Sequence, residues 1–110
     1  MDRIALLRSF LEADPSDTFS TFALALELHK TGELTEAIAT FERLRLASPS
    51  YTGLYYHLAR FYKEAGNQEQ GLRIIDEGIS VCKAAASSEG RKDLAELYTL
   101  RDSLLHDDED

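Results

Sequence analysis

Three histidines, one cysteine and a large surplus of carboxylates are the residues in this chain that could do chemistry. His29, His57 and His106 would be the nitrogen ligands of a metal site, but no pair stands in a His-x-x-x-His pattern on one helix face, so the residues predict no metal. Cys82 is the only cysteine, which rules out an internal disulfide and any cysteine-rich zinc site. Gly66 to Gly71 has the G-x-x-x-x-G spacing of a phosphate loop without the Lys-Ser that follows it, and it joins two predicted helices rather than a strand to a helix. Ser80-Val81-Cys82-Lys83 matches a Ser-x-x-Lys pattern with no supporting motif elsewhere. The carboxylates offer no pair set apart as an acid/base couple. These residues predict no enzyme, no cofactor and no metal.

The charge balance narrows the partners. Twenty acidic residues against 12 basic ones give a formal net charge of −8. Nucleic-acid backbones and anionic lipid surfaces are bound through Lys and Arg, so neither is an expected partner. Four of the acids are Asp107, Asp108, Glu109 and Asp110, expected to form a solvated acidic tail at 107–110. No basic segment followed by a long apolar run opens the sequence, and no stretch approaches the roughly 20 apolar residues of a membrane span. A cytoplasmic protein is the expectation. At 110 residues and 44% hydrophobic content, the chain fits one domain with a true core.

The elements that must position these residues emerge from an internal repeat. A shift of 34 residues pairs Pro15 with Pro49, Gly32 with Gly66, Leu24 with Leu58 and Ala25 with Ala59. It also pairs Leu28 with Tyr62, Ala37 with Gly71 and Phe41 with Ile75. Each type has a physical role. The prolines end the preceding helix, and Ser16 and Ser50 after them are expected to cap the next one. Gly32 and Gly66 mark helix reversals that need a left-handed residue. Asn67 with Gln70 three residues on reads as a capping-box-like start. Ala25 and Ala59 keep a helix face small, so that a neighbour approaches closely. Gly71 and Gly78 each cost about 1 kcal/mol in a helix interior relative to Ala, so a packing reason is expected: close approach of the C-terminal helix through Tyr98 or Leu97.

With Leu24, Ala25, Leu28, Gly32, Ala37, Phe41, Leu44 and Pro49 in the first unit, and Tyr55, Leu58, Ala59, Tyr62, Gly66 and Ile75 in the second, the 34-residue unit resembles the tetratricopeptide repeat. The second unit departs from that pattern at Gly71, Gly78 and Lys83, and the family's Trp is replaced by Thr21 and Tyr55. The resemblance implies an all-α, right-handed helix-hairpin superhelical stack. Together with the apolar periodicity it gives about six helices, at 2–13, 17–31, 34–47, 51–65, 68–84 and 90–105. The expected organisation is a single domain, 1–106. It comprises a half-repeat at 2–16, repeats at 18–51 and 52–85, and a capping helix at 88–106 that covers the last open apolar face.

The resemblance also implies where ligands go. On the first helix of repeat 1, Leu24 and Leu28 lie on the packing side, while Phe19, Phe22 and Leu26 lie nearly opposite, with His29 at the edge. Those positions match the inner, concave wall on which tetratricopeptide arrays hold ligands. The matching positions of repeat 2 include Gly53, Tyr56, Arg60 and Lys63. The expected site is therefore a groove formed by Phe19, Phe22, Leu26, His29, Tyr56, Arg60 and Lys63. It would bind a protein or peptide partner with apolar anchors and an acidic group. The alternatives are a structural homodimer that buries the same apolar surface by self-association, and cover of Phe19, Phe22 and Leu26 within the chain by the C-terminal helix folding back. The family's carboxylate clamp, which holds acidic chaperone tails, is not matched: Phe22, Leu26 and His57 occupy its positions.

Overall fold

A computed structural model describes residues 2–106, so the acidic tail at 107–110 lies outside the described residues. Six helices follow in order: α1 (Arg3–Ala13), α2 (Thr18–Lys30), α3 (Leu34–Ala47), α4 (Leu54–Glu64), α5 (Gln68–Ala85) and α6 (Ser88–Leu105). No strand occurs among the described residues. The all-α expectation holds, with the helices near their predicted positions. The helices divide into two compact units, Met1–Ser48 with α1 to α3 and Pro49–Asp110 with α4 to α6.

The helix reversals have the chemistry read from the glycines. Gly32 (φ 85°) and Gly66 (φ 82°) are left-handed. The Gly32 N–H donates to the His29 carbonyl at 3.1 Å and the Glu33 N–H to Leu28 at 2.8 Å. Gly66 to Lys63 at 3.0 Å and Asn67 to Tyr62 at 2.9 Å repeat this Schellman geometry, which satisfies carbonyls that α2 and α4 would otherwise leave open. The third reversal uses Ala86 in the left-handed region (φ 49°).

The caps differ from the sequence reading at both prolines. Helix α2 is capped by Asp17, whose carboxylate accepts from the Ser20 N–H at 3.1 Å and the Ser20 hydroxyl at 2.6 Å. The Ser16 hydroxyl instead donates to Asp14. An ionised carboxylate is a stronger acceptor than a hydroxyl and also suits the positive end of the helix. Ser50 caps nothing: α4 starts at Leu54 without a side-chain cap. The Thr52 hydroxyl, within the predicted first turn, donates instead to Asp93 on α6 at 2.6 Å. Asn67 does cap α5, accepting from the Gln70 N–H at 3.2 Å, and Ser87 caps α6 through Gly90 at 3.0 Å.

In the first unit the buried apolar residues are Leu7, Ala23, Leu24, Ala25, Leu28, Ala37, Phe41 and Leu44. The rings of Phe22 and Phe41 meet edge to face at 5.5 Å, joining α2 to α3. Arg3 and Arg8 of α1 reach Glu27 at 2.9 Å and Glu36 at 2.8 Å. In the second unit, Tyr55, Leu58, Ala59 and Phe61 of α4 are buried, as are Ile74, Ile75, Ile79 and Cys82 of α5 and Leu97, Leu100 and Leu104 of α6. The Tyr55 hydroxyl donates to the Pro49 carbonyl, and the Gln68 amide donates to the Leu104 carbonyl.

The two helical glycines of α5 do have a packing role, but chiefly toward α4. A Cβ on Gly78 would lie 2.6 Å from the Tyr55 Cβ and 3.0 Å from a Leu97 methyl, and one on Gly71 would lie 3.2 Å from the Ala59 carbonyl oxygen. Leu97 thus contributes as expected from α6. Tyr98 does not: it is 43% exposed and is not among the atoms nearest either glycine.

Candidate functional site

On α2, the positions 19, 22, 26 and 29 recur at steps of three and four and so lie along one helix face. Their environments nevertheless differ. Phe19 is 71% exposed, whereas Phe22 is half-buried because its ring is turned onto Phe41. Leu26 and His29 are half-buried. The open apolar surface of this face is therefore centred on Phe19, in the first turn of α2, and Phe22 serves the α2–α3 contact.

On α4, Tyr56, Arg60 and Lys63 share a face at the same steps. Tyr56 stands edge-on to His57 with ring centres 5.5 Å apart. The Arg60 guanidinium lies 5.7 Å from the centre of the Tyr56 ring, within cation–π range. Arg60 is exposed, and Lys63 is half-buried one turn on.

Tyr56 also lines a cleft of about 390 Å³ with Ala95, Glu96, Thr99, Leu100 and Ser103 of α6. These α6 residues were not among the sequence-predicted site residues. Their signal is the run Ala95, Thr99, Ser103 at four-residue steps, a narrow row of small side chains on one face. With small residues there, the α4 aromatic keeps open space beside it. The cleft has an aromatic wall, Tyr56, at its α4 side and a carboxylate, Glu96, at its α6 side. That suits a segment bearing an apolar anchor and polar groups.

Burial, and secondarily the Asp93 carboxylate, push the Cys82 thiol up, which keeps it protonated and unreactive. The same causes, with Glu89, raise Tyr51. His57 is engaged with aromatic rings, and His106 lies 3.3 Å from Asp102. Among the described residues, no group of three or more His, Cys, Asp or Glu is placed to hold a metal ion. No described helix is long and apolar enough to cross a membrane.

No protein-family model and no curated protein matches the chain. Solved structures do. The chain is similar to the crystal structure of a tetratricopeptide repeat domain protein from Salinibacter ruber, with a TM-score of 0.73 and 32% identity over 80% of this chain and 94% of that one. A solution NMR structure of a tetratricopeptide repeat domain protein from the same organism gives a TM-score of 0.75 and 33% identity, over 83% and 89% of the two chains. The crystal structure of MamA superposes with a TM-score of 0.68 over 96% of this chain and 67% of that one, and at 21% identity it is a likeness of fold alone. The 34-residue spacing of Gly32 and Gly66, their shared Schellman geometry and these likenesses agree: the chain belongs to the tetratricopeptide repeat family.

Proposed function

We propose that this chain is a non-catalytic, cytoplasmic protein-binding module that holds a segment of another protein against the inner faces of its repeat helices. In this reading residues 18–51 and 52–85 are the two repeats, flanked by the half-repeat helix and the capping helix. Phe19, with Phe22, Leu26 and His29 along the same face, gives the apolar patch of the first unit. Tyr56, Arg60 and Lys63 give the basic-aromatic patch of the second.

The observation that carries the reading is the Tyr56–Arg60 pair beside the α4–α6 cleft. Stacking holds the guanidinium over the ring, so less side-chain entropy is lost when a partner carboxylate binds. On a chain of net charge −8, an exposed, pre-positioned cation next to an apolar cleft selects a partner with an acidic group. The family's role in protein–protein contacts supports the same conclusion.

The test is affinity capture of partners with the full chain as bait, comparing wild type with Arg60→Glu and Phe19→Asp. Both positions are exposed, so neither variant should alter folding. The expected outcome is a partner whose recovery falls with Arg60→Glu and falls further when both are changed. A partner held equally well by all four proteins, the double variant included, would overturn the assignment of the site. Light scattering on the same proteins tests the homodimer reading, which requires a dimer that Phe19→Asp dissociates.

A further inference from the structure

The two repeats close the corner beside their prolines differently. In the second repeat Tyr55 of α4 fills it: the root of the side chain lies against Gly78 of α5, and the hydroxyl donates to the Pro49 carbonyl. The ring is fully buried. The opening that remains beside Pro49 is lined by Ser50, Val81, Ala84 and Ala85 and reaches no residue of α4.

The 34-residue register puts Thr21 at the place of Tyr55, Leu44 at that of Gly78 and Pro15 at that of Pro49. Threonine is too short to span from α2 to Pro15, and its hydroxyl turns back to the Asp17 carbonyl at 2.9 Å. Leu44 is 2% exposed and takes the inner part of the space, as part of the core. The outer part stays open. A pocket of about 360 Å³ lies there, lined by Thr21 and Leu44 themselves together with Pro15, Thr18, Ala47 and Ser48. All of these belong to the first unit. The opening follows from the short side chain at position 21.

We infer that this pocket receives the aromatic ring that the first repeat lacks, as the tyrosine side chain of another protein. Leu11, Leu44 and Ala47 give it apolar surface, and a ring brings a large apolar area to bury there. The Pro15 carbonyl stands in the register position of the acceptor that Tyr55 uses, so a phenol can repeat that hydrogen bond and a plain phenyl ring cannot. Arg43 lines the same pocket and supplies the electrostatic match. Its guanidinium donates to the Thr40 hydroxyl at 3.2 Å, and among the described residues no carboxylate pairs with it. A cation so placed complements the negative face of an aromatic ring. The second repeat, whose corner is already filled, has Glu77 at that position.

The pocket favours a peptide chain over a free phenol. The hydroxyls of Thr18 and Ser48 on its walls both donate and accept, which suits the backbone on either side of a tyrosine. Its lining shares no residue with the groove of Phe19, Phe22, Leu26, Tyr56, Arg60 and Lys63. The two assignments therefore fail separately.

A nuclear magnetic resonance titration of the isotopically labelled full chain with blocked tripeptides provides the test. Blocked Gly-Tyr-Gly should shift the amides of Thr18, Thr21 and Ser48, with a Kd in about the 0.1–10 mM range of so small a ligand. Blocked Gly-Phe-Gly should bind about threefold to tenfold more weakly, for want of the hydroxyl. Arg43→Glu, at an exposed position, should weaken Gly-Tyr-Gly by about twofold to fivefold with unchanged helix content. Thr21→Tyr should fill the pocket from within and abolish the shifts. If that variant loses helix content, Ala47→Phe, at an exposed position, blocks the pocket in its place. Absence of shifts at the three amides overturns the inference, as does blocked Gly-Leu-Gly binding as well as Gly-Tyr-Gly. So does 4-methylphenol binding as tightly as the tyrosine tripeptide, or a loss of binding on Arg60→Glu instead of Arg43→Glu.

Discussion

Gly78 of α5 lies so close to Tyr55 of α4 that a Cβ there would stand 2.6 Å from the Tyr55 Cβ and 2.8 Å from its Cγ. The near atoms belong to the root of a fully buried side chain whose hydroxyl is also tied to the Pro49 carbonyl, so the ring has little freedom to retreat. Two effects of Gly78→Ala oppose each other. Helix propensity gains about 1 kcal/mol, while overpacking a closed core costs about 1–3 kcal/mol. With contacts well under 3 Å at the Cβ, the clash wins. Gly78→Ala should lower stability by about 1–2 kcal/mol in a urea titration. A variant more stable than wild type would show that α4 shifts freely.

Ala86 makes the opposite case. It is the one described non-glycine residue in the left-handed region, and it ends α5 where the other two reversals use glycine. A left-handed alanine costs about 1–2 kcal/mol, and glycine removes that strain at the expense of extra freedom in the unfolded chain. Ala86→Gly should therefore raise stability by about 0.5–1 kcal/mol. Thermal unfolding of the purified chain checks the sign.

The Thr52 hydroxyl donates to the buried Asp93 carboxylate and ties the segment before α4 to α6. Thr52→Val keeps the shape and removes the donor, leaving a carboxylate short of a partner in a desolvated place. The expected loss is about 1–3 kcal/mol, and Thr52→Ser, which keeps the hydroxyl, should recover most of it. Hydrogen exchange should show the first turns of α6 opening more readily in the Val variant.

Asp17 gives the stability a pH dependence of known sign. The Ser20 side chain first, and its backbone N–H second, hold the carboxyl below its ordinary value. A depressed folded pKa means that the unfolded chain binds the proton more readily. The contribution is therefore fully present above the unfolded value of about 3.9 and is lost as the pH falls through the folded value. The stability difference between wild type and Asp17→Asn should be constant from about pH 5 upward and shrink below about pH 4. A difference that grows on acidification would contradict the cap.

Phe19 and Phe22 are both sequence-predicted groove residues, yet they should respond differently to the same change. Phe22→Asp removes a ring packed on Phe41 and places a carboxylate beside a buried aromatic, at a cost of about 2–4 kcal/mol. Phe19→Asp alters a side chain that is 71% exposed and should leave stability within about 0.5 kcal/mol. Circular dichroism melts of the two variants distinguish them.

The sequence by itself determined the helices, their reversals and the family. Glycines at Gly32 and Gly66, prolines at Pro15 and Pro49 and the spacing of Leu24, Ala25 and Leu28 act through backbone geometry and helix periodicity, which are local and so visible along one chain. Caps were less legible. Whether Ser16 or Asp17 caps α2 depends on which side chain reaches the amide of Ser20, and Thr52 is drawn away from a helix start by a residue 41 positions later. The site was divided in the same way. Periodicity placed Phe19 and Phe22 on one face and Tyr56 and Arg60 on another, but it does not say which side chain turns inward. Tertiary packing decided that Phe22 belongs to Phe41 and that Tyr56 looks onto a cleft beside α6. Gly78 shows the same limit: its presence announced a close neighbour, and packing supplied two, Tyr55 of α4 nearest and Leu97 of α6 next to it. A helical wheel gives direction around one axis, whereas contact needs the position of a second.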